Sequence, residues 1–173
     1  DKLGRYLMTH PAATVFGLFD EETYPHQGVS AGQLLSHDDY DKKDAPGGFG
    51  SSQWMIGHAI KPHDLLGYGT GRPDISGAEL KPWLTRAARH LGNMTLVCED
   101  IASPENRITL SDRLDTDGIP YAHTHHDLDP DAAARWTQRM SEGADIMRAA
   151  EASDVWSGPQ IGMHIMGGAV MGN

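Results

Sequence analysis

The sequence predicts an α+β domain in which a mainly antiparallel sheet carries two or more helices packed on one face. Three observations predict it. Short apolar or alternating runs recur along the chain and are joined by turn residues, as in hairpins. Only two stretches show clear helical spacing, and they are inserted among the strands instead of alternating with them, which argues against a parallel doubly wound sheet.

In chain order, Ala12 to Phe19 reads as a strand with Pro11 at its mouth, and Gln27 to Leu35 as a weaker one. The next twenty or so residues after Leu35, with Asp38 to Asp44 and then Pro46-Gly47-Gly48, are charged and glycine-rich, which predicts a solvent loop. Ser52 to Ile60 resumes as strand. Lys61 to Asp74, with two prolines and three glycines, reads as loop. Ser76 and Glu79 have the spacing of a capping box, and Leu80, Leu84, Ala87 and Leu91 then share one helical face. Met94 to Asp100 is a short apolar strand. Asn106 to Leu110 and Ile119 to Ala122 flank the turn Asp115-Thr116-Asp117-Gly118, which predicts a hairpin. Asp131 to Ala150 is the clearest helix, with Asp129 as N-cap and Pro130 at its first position. Its stripe of Ala133, Trp136, Met140, Ala144 and Met147 is expected to face the sheet with charge opposite. Val155 to Pro159 is a short extended segment.

The 173 residues suffice for one domain with a real core, and 39% hydrophobic with 22% charged is ordinary globular composition. The formal charge of −10 is spread along the chain with no basic cluster, which argues against nucleic acid and anionic membrane surfaces. The most apolar stretch is too short and glycine-rich to span a bilayer, so a soluble chain is expected, with the compartment, cytoplasmic or periplasmic, open. A single cysteine, Cys98, excludes an internal disulfide and reads as a small core residue. The ends, Asp1 and a glycine-rich apolar segment, read as those of a piece of a longer protein.

Chemistry concentrates near the C-terminus. In Ile161 to Asn173, His164 is the one polar side chain before the final asparagine, set among glycines, methionines and aliphatics. Such an imidazole is either a hydrogen-bonded core residue or a group that takes up a proton during a reaction. His10 and His58 border apolar strands and are placed to face a cleft, whereas His26, His37, His63 and His90 fall in polar settings. His123, His125 and His126 with Asp127 and Asp129 invite a metal reading, but the spacing matches no closed zinc site and no metal is expected. Neither a dinucleotide-binding glycine fingerprint nor a phosphate loop is present, and Ser51-Ser52 lacks the glycines of a hydrolase nucleophile turn.

Two distant segments, read together, add more. Leu3-Gly4-Arg5-Tyr6-Leu7-Met8-Thr9-His10-Pro11 resembles the Val-Gly-Arg-Asn-Leu-x-Asp-His segment of the glucose-methanol-choline (GMC) flavoprotein oxidoreductases, with Tyr6 and Thr9 in place of the asparagine and aspartate. His164-Ile165-Met166-Gly167-Gly168-Ala169-Val170-Met171-Gly172 resembles the same family's C-terminal active-site histidine segment. Between them, Pro104 to Ser111, Asp115, Gly118-Ile119-Pro120 and the long helix resemble its substrate-binding domain, closest to the sugar- and gluconate-dehydrogenase-like branch. The resemblance implies residues 1–173 as a single substrate-binding domain whose FAD is held mainly by an FAD-binding domain outside this chain. It implies oxidation of an alcohol or sugar by hydride transfer to flavin, with His164 as base. Gln53, Trp54, His58 and Met163 are then expected to touch substrate, and Gly167 and Gly168 to let the flavin approach. The alternative is a non-catalytic binding domain or subunit that docks through its apolar C-terminal segment.

Overall fold

The longest strand, β1 (Met8–Leu18), is the spine of the molecule. A computed structural model describes residues 2–30, 32–38, 40 and 51–169; most of the expected charged loop lies outside them. On one side β1 pairs antiparallel with β4 (Leu91–Cys98), which pairs with β3 (Ser52–Ile56), which pairs with β2 (Leu34–Ser36). Pairing with β4 starts at Ala12, just past Pro11, which has no amide hydrogen to give. The other edge of β1 is long enough to be shared. β7 (Asp154–Ser157) runs along Val15 to Leu18, and β8 (Ile161–Met166) along Met8 to Ala12. Every pair is antiparallel, so the α+β class with a mainly antiparallel sheet is what the chain forms.

Successive strand residues point to opposite faces, and the two faces are covered by different helices. Ala13 and Val15 join Trp54, Met94, Leu96 and Cys98 beneath Met140 and Met147 of α3 (Pro130–Ala149). Phe16 and Leu18 join Leu65 of α1 (Pro62–Thr70) and Ala87 of α2 (Leu80–His90) on the other face. The helices are therefore divided between the faces. Among the described residues, α1 and α2 cover only the end of theirs near Phe16 and Leu18, and no helix covers the end near His10.

Helix α3 begins as expected, with the Asp129 carboxylate accepting the amide hydrogen of Asp131 and Pro130 in the first turn. Gly143 lets it approach the sheet, because a Cβ there would run into the Trp54 ring. The expectation of charge confined to the opposite side fails. Arg135 and Arg139 are 2% and 5% exposed, with Arg139 paired to Glu142 at 2.5 Å.

Several boundaries differ from the reading above, among them the end of the Ser52 to Ile60 strand, which stops at Ile56. Lys61 to Asp74 is not all loop, since α1 forms within it. Pro62 suits its first position, and the Asp64 carboxylate accepts the Lys61 amide hydrogen at 3.1 Å. Burial of Leu65 and Tyr68 against Phe16 outweighs the helix-weakening effect of Gly67 and Gly69. Among the described residues, the Gln27 to Leu35 stretch yields strand only where β2 (Leu34–Ser36) forms at its end. Ser76 makes no side-chain cap: Gly77–Glu79 is a 3₁₀ turn, α2 starts at Leu80, and it passes straight into β4 at Leu91.

The hairpin of β5 (Arg107–Leu114) and β6 (Pro120–His125) is a separate two-stranded ribbon, anchored at its base. Asn106, 3% exposed, exchanges two side-chain hydrogen bonds of 2.9 Å with the backbone of Asp127. The Leu7 amide donates to the Asn106 carbonyl and the Ile108 amide to the Gly4 carbonyl, so the ribbon is stitched to the start of the chain.

Candidate functional site

Residues 164–168 of the second family-like segment lie beside the first in space. Strand β8 runs antiparallel to the start of β1, and the Gly4 amide donates to the Gly168 carbonyl at 2.6 Å while the Gly168 amide donates to Arg5 at 3.0 Å. The register places Met163 opposite His10 and Met166 opposite Met8, with an irregularity between them. The extra residue of that bulge is accommodated at His164, which takes φ +51°. A non-glycine residue in the left-handed region is strained by about 1–2 kcal/mol, and such outliers concentrate where a side chain must be aimed.

The aim is toward His10. The two Nδ1 atoms are 3.1 Å apart, and the rings meet edge to face at 83° with centroids 5.3 Å apart. His164 is exposed and His10 half-buried, on the sheet face that α1 and α2 leave open at this end. His10 also lines a cavity of about 220 Å3 together with Ser51, Gln53, Tyr40, Val97 and Glu99. On the register Gln53, Val97 and Ala12 form a row across β3, β4 and β1, so Gln53 shares the face of His10. Its Oε1 accepts a hydrogen bond from His37 Nε2 at 3.0 Å, which brings in a histidine that the sequence placed in a solvated setting.

Of the residues expected at the site, the structure puts His164 and Met163 beside His10, and Gln53 on the same face of the sheet, lining the cavity that His10 also lines. It separates the other two. Trp54 points to the α3 side of the sheet and is 4% exposed in the core, so it cannot be reached from the face that carries Gln53. His58 lies at the opposite end, on a cavity of about 380 Å3 with Phe19, Ile56, Asn93, Met94 and Met147. Its Nδ1 donates to the Ser30 carbonyl at 3.0 Å, and its backbone is held on both sides by the Asn93 side chain.

Gly167 and Gly168 have a reason to be glycine inside the chain itself. A Cβ on Gly167, which sits at φ +75°, would coincide with the Tyr6 carbonyl oxygen, and one on Gly168 would press on Ile108 at 3.3 Å. Their small size closes the β8 end onto the 4–7 segment.

The remaining candidates are placed elsewhere. Cys98 is buried, and burial pushes its thiol up to about 12, which removes the thiolate that nucleophilic chemistry needs. His123 and His125 lie on one exposed face of β6, while His126 turns inward and donates from Nε2 to Asp100 Oδ2 at 2.6 Å. The Asp100 side chain is fully buried and also accepts the amide hydrogens of Thr9 and Ile101, so the pair ties β1, β4 and the hairpin together. Among the described residues no three histidine, cysteine, aspartate or glutamate side chains converge as a metal site. No helix among them is long and apolar enough to cross a membrane.

No family model matches this chain, and no curated protein matches its sequence.

Proposed function

We propose that this chain is the substrate-binding part of an FAD-dependent oxidoreductase that oxidises an alcohol or sugar, with His164 as the base. The observation that carries the reading is the placement of His164: an exposed imidazole, held by a strained bulge on the open face of the sheet, backed by a second imidazole at 3.1 Å. The resemblance of its segment and of residues 3–11 to GMC flavoproteins supports the same reading, and β8 pairs with the start of β1.

The fit to a flavin is partial in an informative way. The sequence has no phosphate loop or dinucleotide fingerprint, and the glycine pair 167–168 is engaged with Tyr6 and Ile108, so the dinucleotide would be held by another domain. What this chain offers is one wall and the proton acceptor. When bound, flavin supplies the acceptor for the hydride that leaves the carbinol carbon. An alcohol is too weak an acid to lose its proton first, so a base must take the hydroxyl proton as the C–H bonding pair departs and the carbonyl forms. His164 Nε2 takes that proton, provided the hydroxyl sits within hydrogen-bond reach. Gln53, its carboxamide oriented by His37, and the flexible thioether of Met163 lie on the same face as contacts for the rest of the substrate.

The reading is tested with the flavin-loaded protein under anaerobic conditions. Mixing with a panel of primary alcohols, secondary alcohols and aldoses is expected to bleach the flavin with at least one class, more slowly when the reacting carbon carries deuterium. Flavin that stays oxidised across the panel would contradict it.

A further inference from the structure

We infer that His10 is a positioning residue: through the Nδ1···Nδ1 contact it fixes which nitrogen of His164 faces the substrate unprotonated, and it stabilises the imidazolium formed there. The inference rests on the reading of His164 as base but reaches a residue that the reading leaves without a role.

A neutral imidazole carries one N–H and one bare nitrogen, and a free ring exchanges between the two arrangements. Two Nδ1 atoms 3.1 Å apart are within hydrogen-bond distance only if one carries the proton and the other does not. The pair therefore has complementary tautomers. If His164 holds its proton on Nδ1, its Nε2 is bare and able to take a hydroxyl proton, while His10 is bare at Nδ1 and protonated at Nε2. The opposite arrangement would leave His164 with Nε2–H, a donor where the reaction needs an acceptor.

The surroundings favour the first arrangement. His10 is half-buried on β1 and lines a cavity whose wall includes the polar residues Glu99, Ser51 and Gln53, a setting suited to an N–H on the ring's second nitrogen. His164 is exposed on β8, and its Nε2 is the ring nitrogen outside the pair, with no bond to any described residue. Once His164 has taken the proton from substrate it bears a positive charge, and its Nδ1–H donates to a neutral His10 in a charge-assisted bond, stronger than the neutral one. That differential strengthening is what accelerates a reaction, because it acts on the state after proton transfer more than on the state before. The left-handed conformation at His164 is then the local cost of bringing its Nδ1 within reach of His10.

The test reads the tautomers directly. Nitrogen-15 NMR of the imidazoles in this chain, with no flavin needed, is expected to show His164 protonated at Nδ1 and bare at Nε2, and His10 the reverse. His10→Leu should release His164 to the mixed tautomers of a free ring, whereas His10→Gln, whose amide oxygen accepts the same hydrogen, should preserve them. In the flavin-loaded protein the expected loss in the flavin-reduction rate for His10→Leu is about 10–100-fold, the range typical of orienting partners, with partial recovery in His10→Gln and little change in substrate affinity. His164 found protonated at Nε2 in the wild-type chain would overturn the inference, as would His10→Leu at the wild-type rate. A His164→Ala variant that reduces flavin normally would instead overturn the assignment of the base, and the tautomer measurement would still stand or fall on its own.

Discussion

In the flavin-loaded protein, His164→Ala is expected to slow reduction of the flavin by about 10²–10⁴-fold, the usual contribution of a positioned general base. The effect should fall on the reductive step, with oxidation of the reduced flavin by its acceptor unchanged, because the imidazole is assigned to the hydroxyl proton alone. The substitution is suited to the question. His164 is exposed and its main polar contact is the one to His10, so removing the ring empties no core and leaves no buried partner stranded. It also deletes little packing, and thermal unfolding of the variant should match that of the parent. Rapid-mixing absorbance of the flavin band measures the rate, and a variant as fast as the parent would remove His164 from the chemistry.

The second large effect is on stability. Trp54→Ala is expected to destabilise the chain by about 3–5 kcal/mol, read by chemical denaturation. Against a total stability of about 5–15 kcal/mol for a domain of this kind, that is enough to leave a large unfolded fraction on mild heating. The magnitude follows from position. The indole is 4% exposed, in a cluster with Val15, Leu96, Met140 and Met147, and Gly143 has no side chain so that the ring can meet α3 closely. Helix α3 cannot relax into the void without sliding on β1 and β7. A variant with unchanged stability but weakened substrate binding would restore the sequence-based expectation that Trp54 contacts substrate.

That expectation shows what strand geometry adds to a sequence. Gln53 and Trp54 are adjacent in β3, so once the stretch is a strand their side chains point to opposite faces, and both cannot serve one cleft. The alternation was available in the sequence. What was missing was which face is open, and that depends on where α1, α2 and α3 pack. Helix α3 was legible because its cap, its proline and its apolar spacing agree. Helix α1 was hidden because Gly67 and Gly69 lower its intrinsic propensity, and its stability comes from Leu65 and Tyr68 meeting Phe16, a contact between residues far apart in the chain.

The site divides along the same line. His164 stands out by its apolar setting, and residues 3–11 and 164–172 each resemble a family segment, yet nothing local in residues 3–11 or 161–169 states that they pair. The His10–His164 contact spans 154 residues and depends on the register of β8 and on a single-residue bulge. His37 reaches Gln53 from a loop that composition alone reads as solvent. Gly167 shows the converse case, in which a glycine expected to clear a ligand is required by the Tyr6 carbonyl.

The central claim is that the open face of this sheet presents His164 to a substrate hydroxyl. Its most direct test is a crystal structure of the flavin-loaded protein with a bound, unreactive alcohol or sugar analogue. The account predicts the hydroxyl on the reacting carbon about 2.6–3.2 Å from His164 Nε2, with Gln53 on the same side of the ligand. An analogue whose hydroxyl is held by other groups while His164 faces bulk solvent would contradict it.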